Sequence, residues 1–80
     1  MPKDHQVRIL YEGTHEGIDS LLDAKLDKIA KSYGGSNGGS GYGFGQRDID
    51  YFFSSKDKAT RFYNDARKIE GLTEVLLLND

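Results

Sequence analysis

The sequence predicts one small α+β domain in which two helices pack on one face of an antiparallel sheet. Three observations support this fold class. Apolar residues recur at steps of three and four in two segments, they alternate in other segments, and a glycine-rich stretch separates the two halves. The length of 80 residues fits a single domain, spanning residues 1–80, with one apolar core.

The first half of the chain predicts a strand followed by a helix. Residues 5–11 alternate, which is typical of a strand with one buried face; Val7, Ile9 and Tyr11 share that face. From residue 18 the spacing becomes helical, and the predicted apolar stripe contains Ile18, Leu21, Leu22, Leu26, Ile29, Ala30 and Tyr33. Gly34 and Gly35 are expected to end this helix.

Residues 34–45 contain seven of the ten glycines. The first part of this stretch is typical of a flexible connector. The second part, Gly41-Tyr42-Gly43-Phe44-Gly45, predicts a weak edge strand with both aromatic residues on one face, turning at Gly45-Gln46 in a type II′ hairpin. Residues 34–46 are therefore interpreted as a flexible glycine-rich loop or hairpin arm.

The second half predicts a strand, a helix and a final strand. Arg47–Phe53 alternates like the first strand, and Ser54 or Ser55 is expected to cap the helix that follows. The apolar stripe of that helix contains Ala59, Phe62, Tyr63, Ala66 and Ile69, with Arg67 and Lys68 in its last turn. Gly71 is placed to end the helix, and Thr73–Leu78 forms the final strand.

The resulting order, β-α-β-β-α-β, resembles the ferredoxin-like split βαβ arrangement, which implies two helices on one side of the sheet. If the glycine-rich segment does not pair, the order becomes a three-stranded β-α-β-α-β variant. In either case the sheet has one face covered by helices and one open face. The open face is the first place to look for a binding surface.

Gly41-Tyr42-Gly43-Phe44 resembles the glycine-aromatic core of the RNA-recognition motif, whose sheet aromatics stack on bases. In that family the motif lies on the third strand, whereas here the third strand is Arg47–Phe53. Its outward Asp48 and Asp50 would repel a phosphate backbone. Arg8 stands where the family has an outward aromatic residue, and it is placed to pair across strands with one of these aspartates.

Composition and charge narrow the possible classes of protein. The chain has no cysteine, and its two histidines have no partners at metal-ligand spacing, so neither a metal nor a cofactor is expected. The net charge of -2 gives no overall attraction to nucleic acid or to an anionic membrane. No apolar run approaches the roughly 20 residues needed to span a bilayer, and we expect a cytoplasmic protein.

Asp19, Asp23 and Asp27 repeat at four-residue spacing along one face of the first helix. The first interpretation is a solvated helix face on which like charges repel weakly. The alternative is an acidic stripe that binds a basic partner.

No catalytic constellation can be assembled from the sequence, so an enzyme is not expected. The leading hypothesis is a non-enzymatic protein-interaction module that binds a protein partner, or itself, through the open sheet face and the glycine-aromatic arm. Small regulators and inhibitors, including those that phages encode, are modules of this size. The candidate partner-binding residues are Arg8, Leu10, Tyr42, Phe44 and Phe52. The alternative hypothesis is a single-stranded RNA-binding domain that uses the sheet aromatics.

Overall fold

The computed structural model describes residues 5–13 and 20–78. Its elements are β1 (His5–Glu12), α1 (Ser20–Ser32), β2 (Ser36–Gly43), β3 (Gln46–Phe53), α2 (Lys56–Ala66) and β4 (Glu74–Leu78). All strand pairs are antiparallel, and the strand order is β2-β3-β1-β4. The predicted α+β class with two helices is confirmed. Because β2 pairs with β3, the sheet has four strands and the three-stranded variant does not apply.

The core lies between the sheet and the two helices. Cross-strand pairing of Val7 with Tyr51 and of Ile9 with Ile49 keeps the predicted inward residues of β1 and β3 on one face. They pack against both helices, and the fully buried set comprises Val7, Ile9, Tyr11, Leu26, Ala30, Ile49, Tyr51, Phe53, Ala59, Phe62 and Ala66. Both helices therefore cover the same face of the sheet and leave the other face open.

Helix α1 ends as predicted. The amide of Gly35 donates to the carbonyl of Ala30 and the amide of Gly34 donates to that of Lys31, while Gly34 has a φ of 77°. This is the Schellman arrangement, in which glycine takes the left-handed position at little steric cost. The predicted apolar stripe is wrong at Leu21, which is 83% exposed, because Leu22 occupies the position that packs on the core. Ile18 and Asp19 lie outside the described residues.

Helix α2 is capped by Ser55, whose side chain accepts a hydrogen bond from the amide of Lys58 at 3.3 Å. The helix ends at Ala66, earlier than predicted. The amides of Lys68 and Ile69 donate to carbonyls three residues back, so the chain continues in tighter turns. Arg67 and Lys68 therefore follow the helix and do not form its last turn.

Strand β2 begins at Ser36, five residues before the predicted start at Gly41. The residues assigned to a connector thus include the first half of this strand. A β-bulge interrupts its pairing between Asn37 and Gly39, where the Asn37 side chain accepts a hydrogen bond from the Gly39 amide at 3.0 Å. The bulge adds one unpaired residue to the edge of the sheet.

The hairpin turns at Phe44 and Gly45, one residue earlier than predicted. Both residues have positive φ, 53° for Phe44 and 78° for Gly45. A type I′ turn requires positive φ at both central positions, so the predicted type II′ turn is wrong. The turn pairs Arg47 with Tyr42 and leaves Phe44 outside the strand.

Candidate interaction surface

The open face of the sheet brings together three of the five predicted site residues. The register sets Arg8 between Asp50 of β3 and Leu76 of β4, and it sets Leu10 beside Asp48 and Glu74. Phe52 lies on the same face, opposite Gln6. Cross-strand partners project to the same side of a sheet, so these residues form one continuous surface.

Arg8 is held by a neighbouring strand. Its Nε donates to Oδ1 of Asp50 at 2.8 Å, and this hydrogen bond raises the pKa of Arg8 above its ordinary value. The predicted cross-strand pair therefore forms with Asp50. The carboxylate of Asp48 makes neither a hydrogen bond nor an ion pair with any side chain in the described part of the chain. Among residues 5–13 and 20–78, the open face thus carries one arginine, already paired, and three carboxylates when Glu74 is included.

Phe52 is packed against glycine backbone and is half-buried. A Cβ atom on Gly38 would stand 2.0 Å from Cε2 of Phe52, so the ring lies directly on the bulge. On the helix-covered face, Phe53 covers Gly35 in the same way, at 2.3 Å. Any side chain at these two positions would displace a ring. Phe52 therefore serves the packing of the hairpin and is less available for stacking than its position on the open face suggests.

A shallow depression of about 490 Å³ occupies the centre of the open face. It is lined by Arg8, Leu10, Tyr42, Gly43, Gln46, Asp48 and Leu76. From β2 the lining comes from Tyr42 and Gly43, while the carboxylate of Asp48 lies over Gly41, where a Cβ atom would stand 2.9 Å from its Oδ1. The depression therefore combines two leucine side chains, a carboxylate and the open backbone of Gly43.

Tyr42 and Phe44 do not share a face, contrary to the prediction. Tyr42 pairs with Arg47, which shares the helix-covered side of β3 with Ile49. At the sheet edge Tyr42 is 43% exposed, and it also lines the rim of the open-face depression. Phe44 projects from the turn and is fully exposed. A φ of 53° is uncommon for a bulky residue, so the turn holds this aromatic ring in solvent at a conformational cost.

The helix-covered side contains a polar cluster that the sequence did not predict. Asp23 of α1 accepts hydrogen bonds from the Tyr11 hydroxyl at 2.5 Å and from Nη2 of Arg47 at 2.9 Å, and Asp27 accepts one from the Tyr51 hydroxyl. Burial, followed by the bond to Asp27, raises the pKa of Tyr51 well above its ordinary value. The expectation of a solvated face is wrong for these two aspartates, since their carboxylates fasten α1 to the sheet.

The four-residue spacing of the aspartates, together with tyrosines at inward strand positions, is the sequence signal that could have indicated this cluster. Every hydrogen bond named in it joins two side chains of this chain, so the cluster fixes the position of α1. The candidate site therefore remains on the open face.

Within residues 5–13 and 20–78, no three His, Cys, Asp or Glu side chains are grouped so that they could hold a metal ion. None of the helices in the same ranges is long and apolar enough to cross a membrane. No protein-family model, curated protein or solved structure matches the chain.

Proposed function

We propose that the protein is a non-enzymatic interaction module that binds a protein partner through the open face of its sheet. The hairpin arm, residues 34–46, provides a second contact. We also infer a ferredoxin-like topology, which the strand order β2-β3-β1-β4 and the placement of both helices on one face support. The observation that carries the functional proposal is the depression in which Leu10 and Leu76 lie beside the unpaired carboxylate of Asp48.

The chemistry of the depression defines the partner. Leu10 and Leu76 offer apolar contact area, while Asp48 offers a carboxylate with no direct ion pair, since the guanidinium of Arg8 bonds to Asp50. A partner that presents an apolar side chain next to a lysine or arginine would satisfy both features. Desolvated anchors of this kind supply most of the binding energy in protein interfaces.

The arm supports the same proposal. At Gly43 the β2 side of the depression carries no side chain, and a Cβ atom there would meet nothing within 4 Å, so a partner backbone can approach this part of it closely. Phe44 adds a fully exposed aromatic ring at the tip of the hairpin. Aromatic residues are enriched among the anchors of protein interfaces, and here the ring makes no buried contact in the free protein.

The charges of the open face give no support to the nucleic-acid alternative. Three carboxylates and one paired arginine would repel a phosphate backbone, and Phe52 packs on Gly38. The open face therefore favours a basic protein surface over an RNA strand.

The test compares wild-type bait with three variants in affinity capture from lysate of the source organism, followed by calorimetric titration of each captured protein after purification. The variant L10S/L76S removes the apolar contacts of the depression. Its matched control is L21S, the same replacement at an exposed leucine on α1, away from the sheet. Circular dichroism verifies that each variant is folded.

We expect L10S/L76S to weaken binding of the purified partner by more than about 100-fold, since two anchors are lost. L21S should bind like the wild type. D48K, which reverses the free charge, should weaken binding as well. Equal affinities of L10S/L76S and the wild type for every captured protein would contradict the proposal.

A titration of fluorescein-labelled single-stranded RNA at low salt separates the two classes of partner. The proposal predicts no saturable binding. Salt-sensitive binding that is lost in Y42A/F44A would replace the protein-interaction proposal with the nucleic-acid alternative.

A further inference from the structure

Strand β2 forms an edge of the sheet, and β3 is its only strand partner in the described chain. Edge strands in soluble proteins are usually protected by charged side chains, prolines or bulges. Ser36–Gly43 contains no charged residue and no proline, and its bulge lies near its start at Gly38. Residues 39–43 therefore form an unprotected edge.

The hairpin turn determines which backbone groups face outward. A two-residue turn makes its flanking residues a hydrogen-bonded pair, so the amide and carbonyl of Gly43 point toward Gln46 of β3. Hydrogen-bonding direction alternates along a strand, so Gly41 also points toward β3. The amides and carbonyls of Tyr42 and Ser40 then point away from the sheet.

The charge distribution allows a second copy of this chain to pair with this edge, although it opposes contact between the open faces. The chain carries a net charge of -2, and the described residues of its open face include three carboxylates against one arginine, so two copies repel each other there. Strand β2 is uncharged, and its side chains are small apart from Tyr42. Two copies can approach along this edge without placing like charges opposite each other.

We propose that β2 pairs antiparallel with β2 of a second copy about a two-fold axis at Ser40. The two sheets become one continuous sheet with four strands from each copy. Such pairing uses the same surface on both copies, as two-fold symmetry requires. The exposed ring of Tyr42 then lies against the glycine-rich start of the second β2, and both open faces stay free. The inference goes beyond the proposed function and does not depend on it.

The test is the oligomeric state, measured by sedimentation velocity. The concentration series reaches about 1 mM, because an interface formed by one short strand from each copy is small and therefore weak. The axis at Ser40 predicts that S40K and S40E each place two like charges opposite each other. Each variant should weaken the dimer by more than about tenfold. An equimolar mixture of S40K and S40E should restore dimers, because opposite charges then face each other.

The matched control is N64K, which adds the same charge on α2, the helix that packs over β1 and β4. N64K should dimerise like the wild type, and circular dichroism verifies the fold of all variants. A wild type that stays monomeric over the whole series overturns the proposal. So does a dimer that S40K leaves intact, or a mixture of S40K and S40E that stays monomeric.

Discussion

Replacing Phe44 with asparagine should stabilise the free protein. The residue has a φ of 53°, which a bulky side chain disfavours and asparagine tolerates. The replacement also creates Asn-Gly, the preferred sequence for a type I′ turn. Because the ring of Phe44 is fully exposed, its removal loses no buried apolar area.

The expected gain follows from the cost of the left-handed conformation. That conformation costs an ordinary L-residue roughly 1–2 kcal/mol, and asparagine recovers part of it, so we expect F44N to gain about 1 kcal/mol. In a domain of this size, such a gain raises Tm by about 4–8 °C. Thermal unfolding followed by far-UV circular dichroism, together with urea unfolding, measures the change.

The control is F44A, which removes the ring but keeps a Cβ atom, and with it most of the backbone strain. Its stability should lie within about 0.5 kcal/mol of the wild type. An F44N variant no more stable than F44A would refute the reasoning, because it would show that strain at this turn costs nothing in solution. If F44N is stabilised and also loses partner binding, Phe44 is an example of stability given up for function.

Two further predictions concern packing and pH. G38A should lose about 1–3 kcal/mol in urea unfolding, since its Cβ would stand 2.0 Å from the Phe52 ring, whereas G39A has open space at that position and should change little. The pKa of Tyr51 is higher in the folded chain than its unfolded value of about 10. The neutral Tyr51 hydroxyl therefore contributes its full stabilisation of the fold below about pH 10, and this contribution is lost as the pH rises above 10. Above about pH 10, ionisation of Tyr51 should lower the free energy of unfolding by about 1.4 kcal/mol per pH unit, and the Y51F variant should lack this contribution. Equal slopes in the two proteins would contradict the assignment of this pH dependence to Tyr51.

Periodicity was sufficient to predict most of the fold. The alternation in β1 and β3 correctly identified the inward residues, including Val7, Ile9 and Ile49, because each strand has one buried face. Capping chemistry narrows the start of α2 to Ser54 or Ser55, of which Ser55 is the cap, and it correctly places Gly34 at the end of α1. These signals are local, so they can be read without knowledge of the tertiary structure.

The sequence failed where the decisive interaction is tertiary. Strand β2 was predicted too short because its first half consists of glycine, serine and asparagine, which show no alternation of apolar and polar residues. It is stabilised by rings of β3, such as Phe52 over Gly38. Asp23 and Asp27 were assigned to solvent because helical spacing alone does not distinguish a solvated carboxylate from one that meets a tyrosine across the core.

The four glycines of β2 differ in what surrounds them, and a Cβ atom on Gly41 would stand 2.9 Å from Oδ1 of Asp48. Gly38 lies under a ring of β3, so the packing of a single copy requires it. A Cβ atom on Gly39 or Gly43 would meet nothing within 4 Å, and glycine in a strand is destabilising by roughly 0.5–1 kcal/mol relative to alanine. The packing of the monomer therefore does not explain these two residues. Both lie on the open face along the unprotected edge, where the proposed partner and the second copy would bring another backbone close.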